Sequence, residues 1–213
     1  MGVVHLKQAV VLVHGVLMTG LEMQLLAVRL RQCGFPLVKI FHYRSLRRTP
    51  AENAQALKRF IEALDADVVH LVGHSLGGIV IAHLFDSFPE QPPGKVVMLG
   101  TPLNGSATAV ALRRLKLDGL LLGRSMVQGL LGDGPRWKNG RELAMVAGNR
   151  GLGVGMLFGQ LSSPNDGTVA VSETRAPEVT QHLQVPYSHF GLLFARPVAT
   201  AICAYLSRGE FVW

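Results

Sequence analysis

The stretch VVHLVGHSLGGIVIAHL, Val68 to Leu84, constrains this chain more than any other. A β-branched apolar run ends at Gly73. His74-Ser75-Leu76-Gly77-Gly78 follows, and the apolar residues then resume at helical spacing. A strand must therefore turn directly into a helix at Ser75. Gly73, Ser75 and Gly77 form the pattern G-x-S-x-G, in which a strained turn pushes the serine hydroxyl out of the sheet. Glycines on either side leave room for backbone to approach closely. The helix that begins there aims its free N–H groups at the same spot, which favours developing negative charge. The plain alternative is a serine N-cap in a glycine-rich turn. The strand before and the helix after weigh against it.

The rest of the chain repeats this alternation. Ala9–Gly15, Pro36–Tyr43, Asp67–Gly73, Lys95–Pro102, Glu142–Asn149 and Gln181–Pro186 read as strands. Between them Leu21–Gly34, Thr49–Leu64 and about Ser75–Phe88 have helical periodicity, and a last helix is expected over about Gly191–Arg208. The predicted fold is α/β: a mostly parallel sheet of about six strands with helices on both faces, in a single domain spanning 1–213. In such sheets reactive groups gather at the carboxyl ends of the strands.

A serine hydroxyl is a weak nucleophile until a base takes its proton. In strand–turn–helix proteins of this kind the acid and then the histidine follow the serine in chain order. Six of the eight histidines precede or immediately surround Ser75, leaving His182 and His189. His182 falls inside the last predicted strand. His189, in VPYSHFG, falls in the loop after it and is the expected base, within hydrogen-bond reach of Ser75. Asp166, in the turn Pro164-Asn165-Asp166-Gly167, is the expected acid, since turn N–H groups can hold its carboxylate. Asp133 is the rival. The backbone N–H groups of Leu76 and of Val16, the latter in the loop after the first strand, are the expected oxyanion hole. His14 is expected to orient that loop.

With these residues in hand the chain resembles the α/β-hydrolase superfamily, and within it the bacterial lipase/esterase group. The resemblance spans nearly the whole chain. It rests on LVHG (Leu12–Gly15), GHSLGG (Gly73–Gly78), VVMLGTPLNGS (Val96–Ser106), PNDGTV (Pro164–Val169) and SHF (Ser188–Phe190). It implies Ser75 as nucleophile, Asp166 as acid and His189 as base, with Gly100–Pro102 and Asn104–Ser106 on the pocket floor. It also implies a lid or cap in the insertion 103–141, whose apolar residues are broken by Gly119, Gly123, Gly129, Gly132 and Gly134. The first strand starts so early that the leading hairpin of the superfamily is not expected.

The expected activity is hydrolysis of carboxylic esters through an acyl-enzyme, with no metal or organic cofactor. A thioesterase or acyltransferase acting on acyl-CoA or acyl-carrier protein is the first alternative, and a non-catalytic binding protein the second. The expected partner is a small acyl ester, lipid-like in character, with transient membrane-surface or acyl-carrier contact. A net charge of +7 invites a nucleic-acid reading. However, the cations form separate groups (Arg47-Arg48, Arg113-Arg114, Arg136–Lys138) rather than a stripe interleaved with aromatics, so no nucleic acid is expected. No segment has the run of about 20 apolar residues needed to span a bilayer. The first residues read as neither a signal peptide nor a myristoylation signal. Cys33 and Cys203 are expected to be buried free thiols, which points to a cytoplasmic location.

Overall fold

The computed structural model describes residues 6–135, 137, 141–153 and 161–213. His5, Arg136 and Lys138 lie outside them. Six strands, β1 (Gln8–Val13), β2 (Leu37–Phe41), β3 (Val68–His74), β4 (Val96–Leu99), β5 (Leu143–Gly148) and β6 (Val179–Val185), form one sheet in the order β2-β1-β3-β4-β5-β6. Every neighbouring pair is parallel. The described residues contain no leading hairpin.

The core shows why these runs form strands. Val10 and Leu12 of β1 face one apolar cluster, and Ala9, Val11 and Val13 face another. That is the two-residue alternation of a pleated strand with both faces covered. The first cluster joins the sheet to α1 (Gln24–Gln32) and α7 (Arg196–Arg208), and the second joins it to α2 (Pro50–Glu62) and α3 (Leu76–Ser87). The chain runs from β1 out to β2 and back past β1 to β3, so its crossovers cover opposite faces. α2 starts as its sequence predicts. The Thr49 hydroxyl accepts the Glu52 N–H at 3.2 Å, the Glu52 carboxylate accepts the Thr49 N–H at 2.7 Å, and Pro50 occupies the first turn.

Two expectations are corrected. The last helix is split into α6 (Gly191–Phe194) and α7, with Ala195 extended at ψ 123° between them. Pro197 has no N–H to offer the preceding turn, so a single helix could not run through it. In addition, Cys33 and Cys203 form a disulfide with Cα atoms 6.4 Å apart. It ties the end of α1 to the middle of α7, two helices packed on the same face of the sheet.

The insertion holds α4 (Ala107–Arg114) and the short α5 (Asp118–Leu121). Its Ala109, Leu112, Leu122, Met126 and Leu130 pack on Leu76 and Ile79 of α3, forming a third cluster. The insertion thus sits over the start of α3, at the carboxyl ends of the strands.

Candidate active site

Ser75 joins β3 to α3 with φ 54° and ψ −122°, a left-handed-side backbone that a residue with a side chain adopts only under strain. The surroundings hold it there. Its N–H donates to the Leu99 carbonyl of β4 at 2.9 Å, and the Thr101 hydroxyl donates to its carbonyl at 2.9 Å. The flanking glycines are required by space. A Cβ at Gly73 would lie 2.7 Å from the Gly78 nitrogen, and one at Gly77 would collide with the Val13 carbonyl oxygen.

Asp166 and His189 arrive from the loops on either side of β6. Asp166 is 1 % exposed. One of its carboxylate oxygens accepts the N–H groups of Thr168 (2.9 Å) and Val169 (2.7 Å), and the other lies 2.6 Å from Nδ1 of His189. The His189 backbone N–H also donates to the Asp166 carbonyl at 2.9 Å. Gly100, at the end of β4, makes space for the pair: a Cβ there would lie 3.0 Å from the His189 ring and 3.1 Å from the Asp166 carboxylate. The rival acid, Asp133, stays within the insertion and accepts the Gln128 and Gly129 N–H groups at 2.8 and 2.7 Å. His182 lies in β6 and pairs with the Thr174 hydroxyl at 2.9 Å.

Ser75 and His189 line one cavity of about 240 Å³. Its remaining walls are mostly apolar: Val16, Leu17 and Met18 from the loop after β1, Leu112, Leu121 and Leu122 from the insertion, and Phe190. Among the described residues no hydrogen bond joins Ser75 to His189. Free enzymes often hold this contact loosely and tighten it on substrate. A larger open groove of about 830 Å³ lies at the opposite, amino end of the sheet, beside His70, Lys95 and Arg141. The smaller cavity holds the strained serine and the carboxylate-bound imidazole, and the larger groove is lined by neither.

The N–H groups of Leu76, the first residue of α3, and of Val16 make no protein hydrogen bond among the described residues. Leu76 is therefore a helix-terminal donor of the kind that binds anions. His14 shapes the Val16 loop. Burial holds its pKa below the ordinary value, so the ring is neutral, and Nδ1 donates to the Gly15 carbonyl at 2.9 Å. Tyr43 stacks on the ring at 4.2 Å, and its hydroxyl donates to the His14 carbonyl at 2.6 Å.

Gly100–Pro102 and Asn104–Ser106 do not line the Ser75 cavity, contrary to expectation. Thr101 grips the Ser75 carbonyl, the Ser106 hydroxyl caps α4 by accepting the Ala109 N–H at 3.2 Å, and Asn104 lines a separate cleft with Leu103 and Trp137. Sequence reasoning also missed Glu173 and Thr108. The half-buried Glu173 carboxylate accepts the N–H groups of Ala107 (2.6 Å) and Ala170 (2.8 Å), and the Thr108 hydroxyl donates to the Thr168 carbonyl at 2.6 Å. Together they clamp α4 to the loop carrying Asp166. Among the described residues no group of three His, Cys, Asp or Glu side chains is placed to hold a metal ion, and no helix is long and apolar enough to cross a membrane.

No curated protein matches the chain. Solved structures do. A lipase of Bacillus licheniformis, BlEst2 in its mature form, is 18 % identical with a TM-score of 0.71, over 99 % of this chain and 96 % of that one. The phospholipase PlaB of Legionella pneumophila is 20 % identical with a TM-score of 0.62, over 79 % of this chain but only 44 % of its own. A metagenomic carboxyl esterase is 16 % identical with a TM-score of 0.67, over 89 % of this chain and 66 % of that one. These likenesses are to the fold. The family model described as "Alpha/beta hydrolase family" matches residues 10–212. The chain therefore belongs to the alpha/beta hydrolase family.

Proposed function

We propose that this protein is a serine hydrolase of carboxylic esters. The observation that carries the reading is the strained Ser75, sharing an apolar cavity with an imidazole that Asp166 grips at 2.6 Å. Ser75 Oγ attacks the acyl carbon and its proton passes to Nε2 of His189. The tetrahedral oxyanion is held by the Val16 and Leu76 N–H groups. Collapse expels the alcohol, which takes the proton from His189 and leaves an acyl-Ser75. Water then attacks that ester, again giving its proton to His189, and the acid leaves with Ser75 restored. Asp166 keeps the imidazole in the tautomer that leaves Nε2 free to accept.

A cavity of about 240 Å³ lies below the usual 300–1,000 Å³ of small-molecule sites, which favours a short or medium acyl chain. We read the insertion as a lid, because its leucines form part of the wall. A fluorophosphonate probe should label Ser75, and hydrolysis across p-nitrophenyl esters from acetate to palmitate should peak at short to medium chains. An unlabelled, inactive folded protein would overturn the proposal.

A second reading rests on one observation. A cleft of about 480 Å³ bears Arg44 and Arg47 and shares Leu17 and Met18 with the Ser75 cavity. Cations beside the mouth suit an anionic acyl donor such as acyl-CoA, or an anionic lipid surface. Comparing thioesters with oxygen esters of the same acyl chain separates the two readings. For location, the Cys33–Cys203 bond favours an oxidising compartment over the cytoplasm expected from the sequence. Alkylation before and after reduction of protein isolated from its native host tests this.

A further inference from the structure

His74 is a buried imidazole for which the mechanism above has no use. It precedes Ser75 and is 1 % exposed. Its Nε2 lies 3.1 Å from the backbone carbonyl of His189. A carbonyl only accepts, so Nε2 carries the proton and Nδ1 is a bare lone pair. That lone pair is buried without a partner. It sits beside the catalytic loop, since a Cβ built on Gly15 would lie 3.2 Å from both His74 Nδ1 and Ser75 Cβ. The His74 ring also packs on those of His189 and Phe190, with centroids 4.6 and 6.2 Å away.

An orphaned buried acceptor is a cost that an apolar side chain of the same shape would avoid. The compensating contact is the Nε2–H bond, and it goes to one particular place. Among the described residues, the other hydrogen bonds of His189 run to Asp166, from its ring and from its backbone N–H. The bond to its carbonyl comes from the opposite partner, the residue covalently joined to Ser75. We infer that His74 is a positioning residue that fixes the distance between Ser75 and His189 by gripping the His189 backbone from within the serine turn. Burial, and the neighbouring His189 and His14 rings, hold the His74 pKa well below the ordinary value. The ring therefore stays neutral and adds no positive charge beside His189 when that residue takes the serine proton. The inference rests on the proposed roles of Ser75 and His189.

The test uses three full-length proteins and the labelling rate of Ser75 by a fluorophosphonate, which reads the serine–histidine pair whatever the natural substrate. His74→Phe keeps the ring and removes the donor. It should be at least as heat-stable as the parent, because the orphaned acceptor is gone, yet label about 10- to 100-fold more slowly, as expected for a misplaced catalytic group. His74→Gln places an amide N–H near the Nε2 position and should recover most of the rate, a rescue that a merely space-filling role would not give. In the unaltered protein, NMR should show a His74 Nε2 proton protected from solvent exchange, which holds the inference to account even if a variant fails to fold. His74→Phe labelling at the parental rate, Gln giving no rescue, or an unprotected Nε2 proton would each overturn it. No labelling of the parent would instead overturn the proposed function.

Discussion

Asp166 and His189 are joined twice, by the 2.6 Å contact between carboxylate and Nδ1 and by the 2.9 Å bond from the His189 N–H to the Asp166 carbonyl. The second bond does not depend on the side chain. Asp166→Asn should therefore keep the loop in place while damaging the chemistry. Two backbone N–H groups converge on the inner carboxylate oxygen, so the amide oxygen must sit there and the amide NH₂ must face Nδ1. Nδ1 then accepts, the ring proton moves to Nε2, and His189 can no longer take a proton from Ser75. We expect kcat to fall about 10⁴-fold, as when the same change traps a triad histidine in the wrong tautomer, with KM little changed. Steady-state kinetics on a p-nitrophenyl ester check this. A loss below tenfold would show that the pair does not work as a unit.

The strain at Ser75 gives a prediction in which stability and activity move in opposite directions. Its φ of 54° costs a residue with a side chain about 1–3 kcal/mol, whereas glycine adopts it freely at an entropic cost of about 0.5–1 kcal/mol. Ser75→Gly should therefore melt higher than Ser75→Ala. Both should lose ester hydrolysis by several orders of magnitude, on the order of 10³ to 10⁶. Equal melting temperatures for the two would mean that the turn stores no strain. Substantial activity in either would remove Ser75 from the mechanism.

The places of Ser75, Asp166 and His189 in the fold were legible for different reasons. Ser75 sits in a local pattern whose glycines are required by contacts the structure shows, with Gly78 and with the Val13 carbonyl. Asp166 and His189 lie in loops after strands, where the order of elements fixes the end of the sheet. What stayed hidden depends on partners far apart in sequence. Glu173 meets the Ala107 N–H across 66 positions, and Cys33 meets Cys203 across 170. No local period marks either contact; each exists only once helices pack on the sheet. Pro197 was different. It sits in plain view, but the apolar run on both sides of it favoured one continuous helix.

Buried histidines give the stability a pH dependence of definite sign. His14, His74 and His182 have pKa values pushed below the ordinary value chiefly by burial, and His70 is pushed down to about 4 by burial with help from Lys95 and Arg141. The unfolded chain binds protons at these sites from about pH 6.5 downward, where the folded chain does not. Stability must therefore fall as pH drops from about 6.5 towards 4. Glu173, raised by burial, acts in the opposite sense but stands alone against four histidines. Melting temperature should drop between pH 7.5 and 5. His70→Asn, which keeps an acceptor for the Lys95 N–H, should flatten that slope. A slope unchanged in His70→Asn would show that His70 is not one of its sources.

Joining Cys33 to Cys203 closes a loop of 170 residues. By the chain-entropy account such a loop destabilises the unfolded state by about 5 kcal/mol, and measured values range to roughly 0–5. The double variant Cys33→Ser, Cys203→Ser should lose stability on the order of 3 kcal/mol and respond no further to reducing agent. Ester hydrolysis at 25 °C should be unchanged, because α1 and the middle of α7 do not touch the Ser75 cavity. Denaturant titration with and without reductant reads the difference. Coincident curves for the parent under both conditions would show that the bond does not form in solution.

The insertion supplies the last test. Leu121 is half-buried in the cavity wall, while its neighbour Leu120 is 75 % exposed and lines none of it. If the wall receives an acyl chain, the two leucines must differ. Leu121→Ser removes apolar surface that the chain would bury, worth about 1 kcal/mol for a partly buried leucine, or roughly fivefold in kcat/KM. That loss should appear with hexanoate or octanoate esters and be nearly absent with acetate, whose methyl group does not reach the wall. Leu120→Ser should leave both substrates unaffected. α4 is clamped to the Asp166 loop through Glu173 and Thr108, so any lid movement must occur beyond it, from Leu115 onward. Equal losses on both esters in Leu121→Ser would refute an acyl-binding role for this wall while leaving Ser75, Asp166 and His189 untouched.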